Sequence, residues 1–177
     1  MAAIDKSLYE KFLITSVDGS KSVELSEGVI SFNYNEDVYS PMLTAMVVVA
    51  NTGNTVEGDD GKLQSVYNGL PLRGGEKMEI KIAGNSADNN GLDFNDLYVG
   101  SITNVLVDSG RESFTLNLIS REAITNETVR VGKRFPASQK ISDSVEDICK
   151  NYLSSDKLYD VDETQNPYGF IGLSLIH

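Results

Sequence analysis

The chain has no tryptophan, one histidine, one cysteine and four prolines in 177 residues, and its 15 basic residues are outnumbered by 26 acidic ones. Each shortage excludes something. Cys149 has no second cysteine for an intramolecular disulfide, and with His177 as its sole imidazole companion it cannot complete a structural zinc site of four nitrogen or sulfur ligands. A formal net charge of −11 opposes any surface that must neutralise phosphates through Lys and Arg, so no direct nucleic-acid binding is expected. No stretch approaches the roughly 18 consecutive apolar residues of a membrane span. The N-terminus, Met1-Ala2-Ala3-Ile4-Asp5-Lys6, lacks the basic-then-apolar pattern of a leader, so the product is expected to stay in the cell that makes it.

What is present is ordinary globular material, 40% hydrophobic and 23% charged, enough for one generous domain or one domain plus part of another. From Tyr9 to Arg121 the pattern reads as β. Phe12, Ile14 and Ser16 alternate with Leu13, Thr15 and Val17 before a turn at Asp18-Gly19-Ser20. A run from Val23 to Asn35 sets Ile30, Phe32 and Tyr34 against Ser31, Asn33 and Asn35, as in a half-buried strand. Met42 to Ala50 is apolar on both faces, so it needs cover on both sides, and another subunit is expected to supply one of them. Leu43, Ala45, Val47 and Val49 are the candidate subunit-interface residues. Pro71, Gly74 and Gly75 form a turn motif that sets the register of the next strand, Met78 to Ile82. The polar stretch from Gly84 to Asp96 reads as an exposed loop, and a hairpin follows with its turn at Asp108-Ser109-Gly110. The expected fold is mainly β, an antiparallel β-barrel or strongly bent sheet, with one C-terminal amphipathic helix. That helix is predicted over 142–153, with Ser142 as N-cap and Val145, Ile148, Cys149, Tyr152 and Leu153 as its apolar stripe.

Chemistry is scarce. Gly69 and Gly74 are spaced like the glycines of a phosphate-binding loop, but Gly75 and Glu76 stand where Lys and Ser or Thr are required. Asp88, Asn90, Asp93, Asn95 and Asp96 offer oxygen ligands for calcium without the order of an EF-hand, and Asp59 and Asp60 read the same way. Cys149 on an apolar helical stripe behaves as a small hydrophobe. No nucleophile elbow accompanies His177. The expectation is a non-enzyme with no catalytic residues, no cofactor and no metal.

One resemblance is carried by Ser40-Pro41-Met42, by Leu70-Pro71-Leu72-Arg73-Gly74-Gly75-Glu76, by Tyr98-Val99-Gly100, and by the run from Leu116-Asn117-Leu118-Ile119-Ser120-Arg121 through Arg134-Phe135-Pro136 to the helix. These residues resemble the baseplate hub subunit of T-even-type contractile phages, particularly cyanophage relatives, and through it the spike base of type VI secretion. The resemblance extends from about Tyr9 to Gly172 and implies a ring-forming virion structural protein. In that family a homotrimer of two-barrel subunits joins a central spike to the tail tube. It implies a first barrel over 1–120 and, over 121–177, a linker, a helix and the start of a second domain. Family members continue past Asn166-Pro167-Tyr168-Gly169-Phe170-Ile171-Gly172, so a truncated second barrel is expected, with Phe170, Ile171, Leu173, Leu175 and Ile176 in need of a partner. The expected location is the tail baseplate, after synthesis in the host cytoplasm. The competing class is a stand-alone binding module on a β-sandwich, for carbohydrate or calcium-assisted, with Phe94 and Tyr98 beside the acidic loop.

Overall fold

The computed structural model describes residues 8–40, 42–58, 61–86, 90–108, 111–155, 157 and 160–165. The chain divides into two compact units, Met1–Ser120 and Arg121–His177. The first unit holds nine strands: β1 Leu8–Thr15, β2 Ser22–Glu24, β3 Val29–Asn35, β4 Thr44–Thr52, β5 Val56–Glu57, β6 Leu63–Gln64, β7 Lys77–Ala83, β8 Leu92–Asp108 and β9 Arg111–Ser120. Seven of them form one antiparallel sheet in the order β2-β1-β7-β8-β9-β4-β3, while β5 and β6 pair separately beside a short helix, α1 Val66–Gly69. The sheet curls into a half-barrel. Phe12 of β1 and Phe32 of β3 belong to strands near opposite ends of the order, yet their rings meet edge-on at 5.7 Å. The expectation of a mainly β, strongly bent antiparallel sheet is met.

Alternation along each strand sends one row into the concave side. Phe12 and Ile14, Met78 and Ile80, Leu97 and Val99, and Phe114, Leu116 and Leu118 fill it, all 2% exposed or less. Each such side chain contributes on the order of 1.5–3 kcal/mol of burial free energy. Leu43, Ala45, Val47 and Val49 lie in this core at 8%, 6%, 0% and 0% exposure, which corrects their reading as a subunit interface. The run is apolar on both faces, so its composition could not say which row the curl turns inward. The row turned outward is the other one, Thr44, Met46, Val48 and Ala50.

Three local readings also change. The run from Val23 to Asn35 is broken at a 3-10 turn, Ser26–Gly28, held by Glu24, whose carboxylate accepts the amides of Phe12 at 2.7 Å and Ser26 at 3.1 Å. Pairing of β3 with β4 slips between Val29 and Ser31, and this bulge leaves Ile30 66% exposed rather than half-buried with Phe32. Residues 92–96 belong to β8 rather than to a loop, because Phe94 pairs opposite Ile80 and Asp93 opposite Lys81.

The second unit contains α2 Arg121–Thr128 and a 12-residue C-terminal helix that begins as α3 Ile141–Asp147 and continues as a π-helical turn, Ile148–Tyr152. Lys140 occupies the N-cap, not Ser142. The Ser142 hydroxyl instead lies 3.4 Å from that of Thr164 and accepts the Thr164 amide at 3.3 Å. Ser142 and Ser144 are buried while Val145 is 40% exposed, so the expected stripe does not form one buried face. The wider π turn rotates residues beyond Asp147 away from the 3.6-residue period on which that stripe was drawn. Ser154, at φ 51°, ends the helix. The sequence-predicted features at Asp59, Asp60, Asp88, Ser109 and Gly110, and the apolar tail from Phe170, lie outside the described residues.

Candidate interaction surface

The convex side of the half-barrel is built from two contrasting halves. Over β1, β7 and the first part of β8 it is a lattice of charges. Lys11 pairs with Glu79, Lys81 lies 2.8 Å from Glu10, and Lys77 stands 3.7 Å from both Glu79 and Asp96. The hydrogen bond from Lys11 holds the Glu79 carboxyl below the usual carboxylate range, and the bond to Glu10 raises Lys81.

The other half carries no charge short of its hairpin end, where Asp108 and Arg111 stand opposite each other. Two rows cross its four strands in register: Asn33 of β3, Met46 of β4, Asn117 of β9 and Ser101 of β8 form one, and Ser31, Val48, Thr115 and Thr103 form the next. Hydroxyls and amides knit them. The Asn117 side chain donates to Ser101 Oγ at 3.1 Å and to Thr103 Oγ1 at 3.3 Å, and that of Asn104 donates to Thr115 Oγ1 at 3.4 Å. Met46 is 38% exposed in the middle of this face.

Two strand edges border the uncharged half. Among the described residues β3 is terminal in the sheet and pairs with β4 alone. β8 pairs with β7 only as far as Tyr98, and the turn before β7 covers one further residue, with the Gly75 amide donating to the Val99 carbonyl at 2.7 Å. Beyond that, among the described residues, β9 is the sheet neighbour of β8. Val105, Leu106 and Val107 on this stretch are 41%, 65% and 40% exposed.

The turn motif at Pro71, Gly74 and Gly75 is structural chemistry turned inward. Gly74 and Gly75 take φ of 106° and 92°, where a Cβ is strained, and so aim the turn's amides at one point. Glu76, 1% exposed, occupies that point and accepts the Arg73 amide at 2.7 Å and the Gly74 amide at 2.9 Å. The donors that a phosphate would need are thus taken by the chain's own carboxylate. Glu112 repeats the device, accepting the Val66 and Tyr67 amides at the start of α1 at 2.9 and 3.0 Å and the Asn51 side chain at 3.1 Å. Sequence reasoning missed Glu24, Glu76 and Glu112 as amide acceptors. Each stands at or next to the end of a strand, a position that many surface carboxylates of this acidic chain share.

The remaining candidates do not converge. Asp96 accepts the Tyr98 hydroxyl at 2.9 Å, and Phe94 turns inward against Phe32 and Tyr34 at 6.4 and 5.6 Å, so the residues expected to serve calcium or carbohydrate are engaged with their neighbours. Among the described residues no group of three or more His, Cys, Asp or Glu is placed to hold a metal ion. No described helix is long and apolar enough to cross a membrane. In the second unit, burial and the nearby Glu122 charge push the Cys149 thiol up, away from the reactive thiolate. An open cleft of about 900 Å³ runs between Lys21, Glu24, Glu27 and Glu57, with acidic residues in the majority. Comparison with protein-family models, curated proteins and solved structures yields no match.

Proposed function

We propose that the chain is a non-enzymatic structural subunit of a contractile-tail baseplate hub, self-associating as a homotrimeric ring between a central spike and the tail tube of a virion. The observation that carries this reading is the uncharged convex face of β3, β4, β9 and outer β8 on a chain of net charge −11. Like-charged copies approach each other at least cost where neither presents charge. The turn and strand motifs that resemble those of baseplate hubs favour the same reading. Native mass measurement across a concentration series tests it: a trimer is expected, and a monomer at every concentration overturns it.

The stand-alone binding module has one observation in its favour. Phe32, Tyr34 and Phe94 form a ring cluster in which Tyr34 is stacked on Phe32 at 6.2 Å and 38% exposed. Calorimetric titration with a glycan panel, with and without calcium, separates the two readings, since heat of binding lost in Tyr34→Ala is expected only for the module.

A further inference from the structure

The charge pattern of the strands singles out two edges. β4 and β9, paired on both sides, carry no charged residue over 41–56 and 113–120. β3 over 29–35 and β8 over 100–107 are equally free of charge, although each has a single sheet neighbour there among the described residues. Other open edges are treated differently. β2, the opposite terminal strand, is three residues long, ends in Glu24 and is flanked by Lys21 and Glu27, and the end of β1 that β2 does not cover carries Glu10 and Lys11. Short length and charge are how sheets discourage a further strand. β3 and outer β8 lack both protections and have the composition of interior strands of a larger sheet.

We infer that the outer edge of β8 over 101–107 pairs with the outer edge of β3 in a second copy of this chain. The two edges are close in length, seven residues each, and both adjoin the same uncharged face, so pairing extends that face from one copy into the next. Joining two different edges is a heterologous contact, which repeats from copy to copy and closes into a ring when the rotation allows. The bulge between Thr103 and Leu106, with Asn104 at φ 53°, restricts the registers in which the edges can meet. The inference rests on the hub reading only for the number of copies.

Disulfide trapping in the full-length chain tests it, in a Cys149→Ser background. Asn33→Cys protein is mixed under mild oxidation with Ser101→Cys, Thr103→Cys or Val105→Cys protein, and linked species are mapped by peptide mass. A mixed 33-to-101, 33-to-103 or 33-to-105 link is expected, absent when either partner is oxidised alone. A link within Thr103→Cys protein alone, signifying β8 against β8, overturns the pairing and leaves the hub reading standing. Association that persists with no link to position 33 does the same. A mixed link in an assembly that is not a trimer supports the pairing and overturns the homotrimer. Monomers at every concentration overturn both. As an independent arm, Leu106→Lys is expected to weaken association about tenfold with unchanged thermal melting. Ser22→Lys, the same charge change on β2, is expected to leave it within about twofold. Because each substitution lowers the net negative charge, an effect through overall repulsion would run in the opposite direction. Equal effects of the two variants would overturn the pairing.

Discussion

The two halves of the convex face share one sheet, one curl and one core, and differ in what they show to solvent. Around β7, alternate positions are Lys77, Glu79 and Lys81, bound to one another and to β1 through ion pairs. Around β4 the same alternate positions are Thr44, Met46, Val48 and Ala50. Nothing in the interior requires this asymmetry, since both halves present comparably apolar rows inward. A surface relieved of charge over half its extent, on an acidic chain, is where the proposed self-association would meet least repulsion.

If the halves share a core, equivalent deletions in it should cost alike. Ile80→Ala under the charged half and Leu116→Ala under the uncharged half, at 1% and 0% exposure, are each expected to lower stability by about 2–5 kcal/mol. Denaturant unfolding checks this, and two separate transitions in either variant would show the halves to be independent. Next in size are the amide-binding carboxylates, one at the start of each half. Glu76→Ala and Glu112→Ala each strand two backbone donors and are expected to cost roughly 1–3 kcal/mol per variant.

Acid should then separate the halves. The Glu79 carboxyl is lowered by its bond from Lys11, so its contribution is present above the unfolded carboxylate value and is lost as pH falls through the lower folded value. Hydrogen exchange followed down that range is expected to rise in β1 and β7 before β4 and β9, and simultaneous loss would erase the distinction. The smallest effects belong to single surface charges. Lys81→Met removes an exposed pair with Glu10 and is expected to change stability by less than about 1 kcal/mol, measured by thermal melting.

Much of the first unit was legible in the sequence because strand alternation is a short-range signal: Phe12 and Ile14 stand on one side of their alternating run, and both are buried. β4 was visible as a strand, but Val47 and Val48 are chemically alike, and only the curl of the whole sheet decides that one is core and the other surface. Ile30 was misplaced by a bulge that depends on the partner strand. The excursion holding β5, β6 and α1 was missed altogether, although Ser65 ahead of Val66-Tyr67 is an N-cap signature, its hydroxyl accepting the Asn68 amide at 3.4 Å. In the second unit the helix was visible from its period, while the face it buries was not, because the buried residues of α3 are the polar Ser142 and Ser144, bonded to Thr164 and to the Lys140 carbonyl, which an apolar pattern does not mark. The uncharged face could not be seen along the chain at all. It is assembled from β3, β4, β8 and β9, whose pairing alone brings their outward residues together.

The Glu112 carboxylate has a kinetic consequence. It grips the amides of Val66 and Tyr67, which lie 46 and 45 residues away along the chain, and the side chain of Asn51, 61 residues away. Such contacts form only after a long loop has closed, and the loop here closes onto a site that exists once β9 has paired with β4. The α1 excursion is therefore expected to act as a latch that engages late in folding and releases early in unfolding. Loosening it should steepen the escape from the native state while leaving the ascent to it nearly unchanged, so Glu112 sets how long the folded barrel lasts more than how quickly it is made.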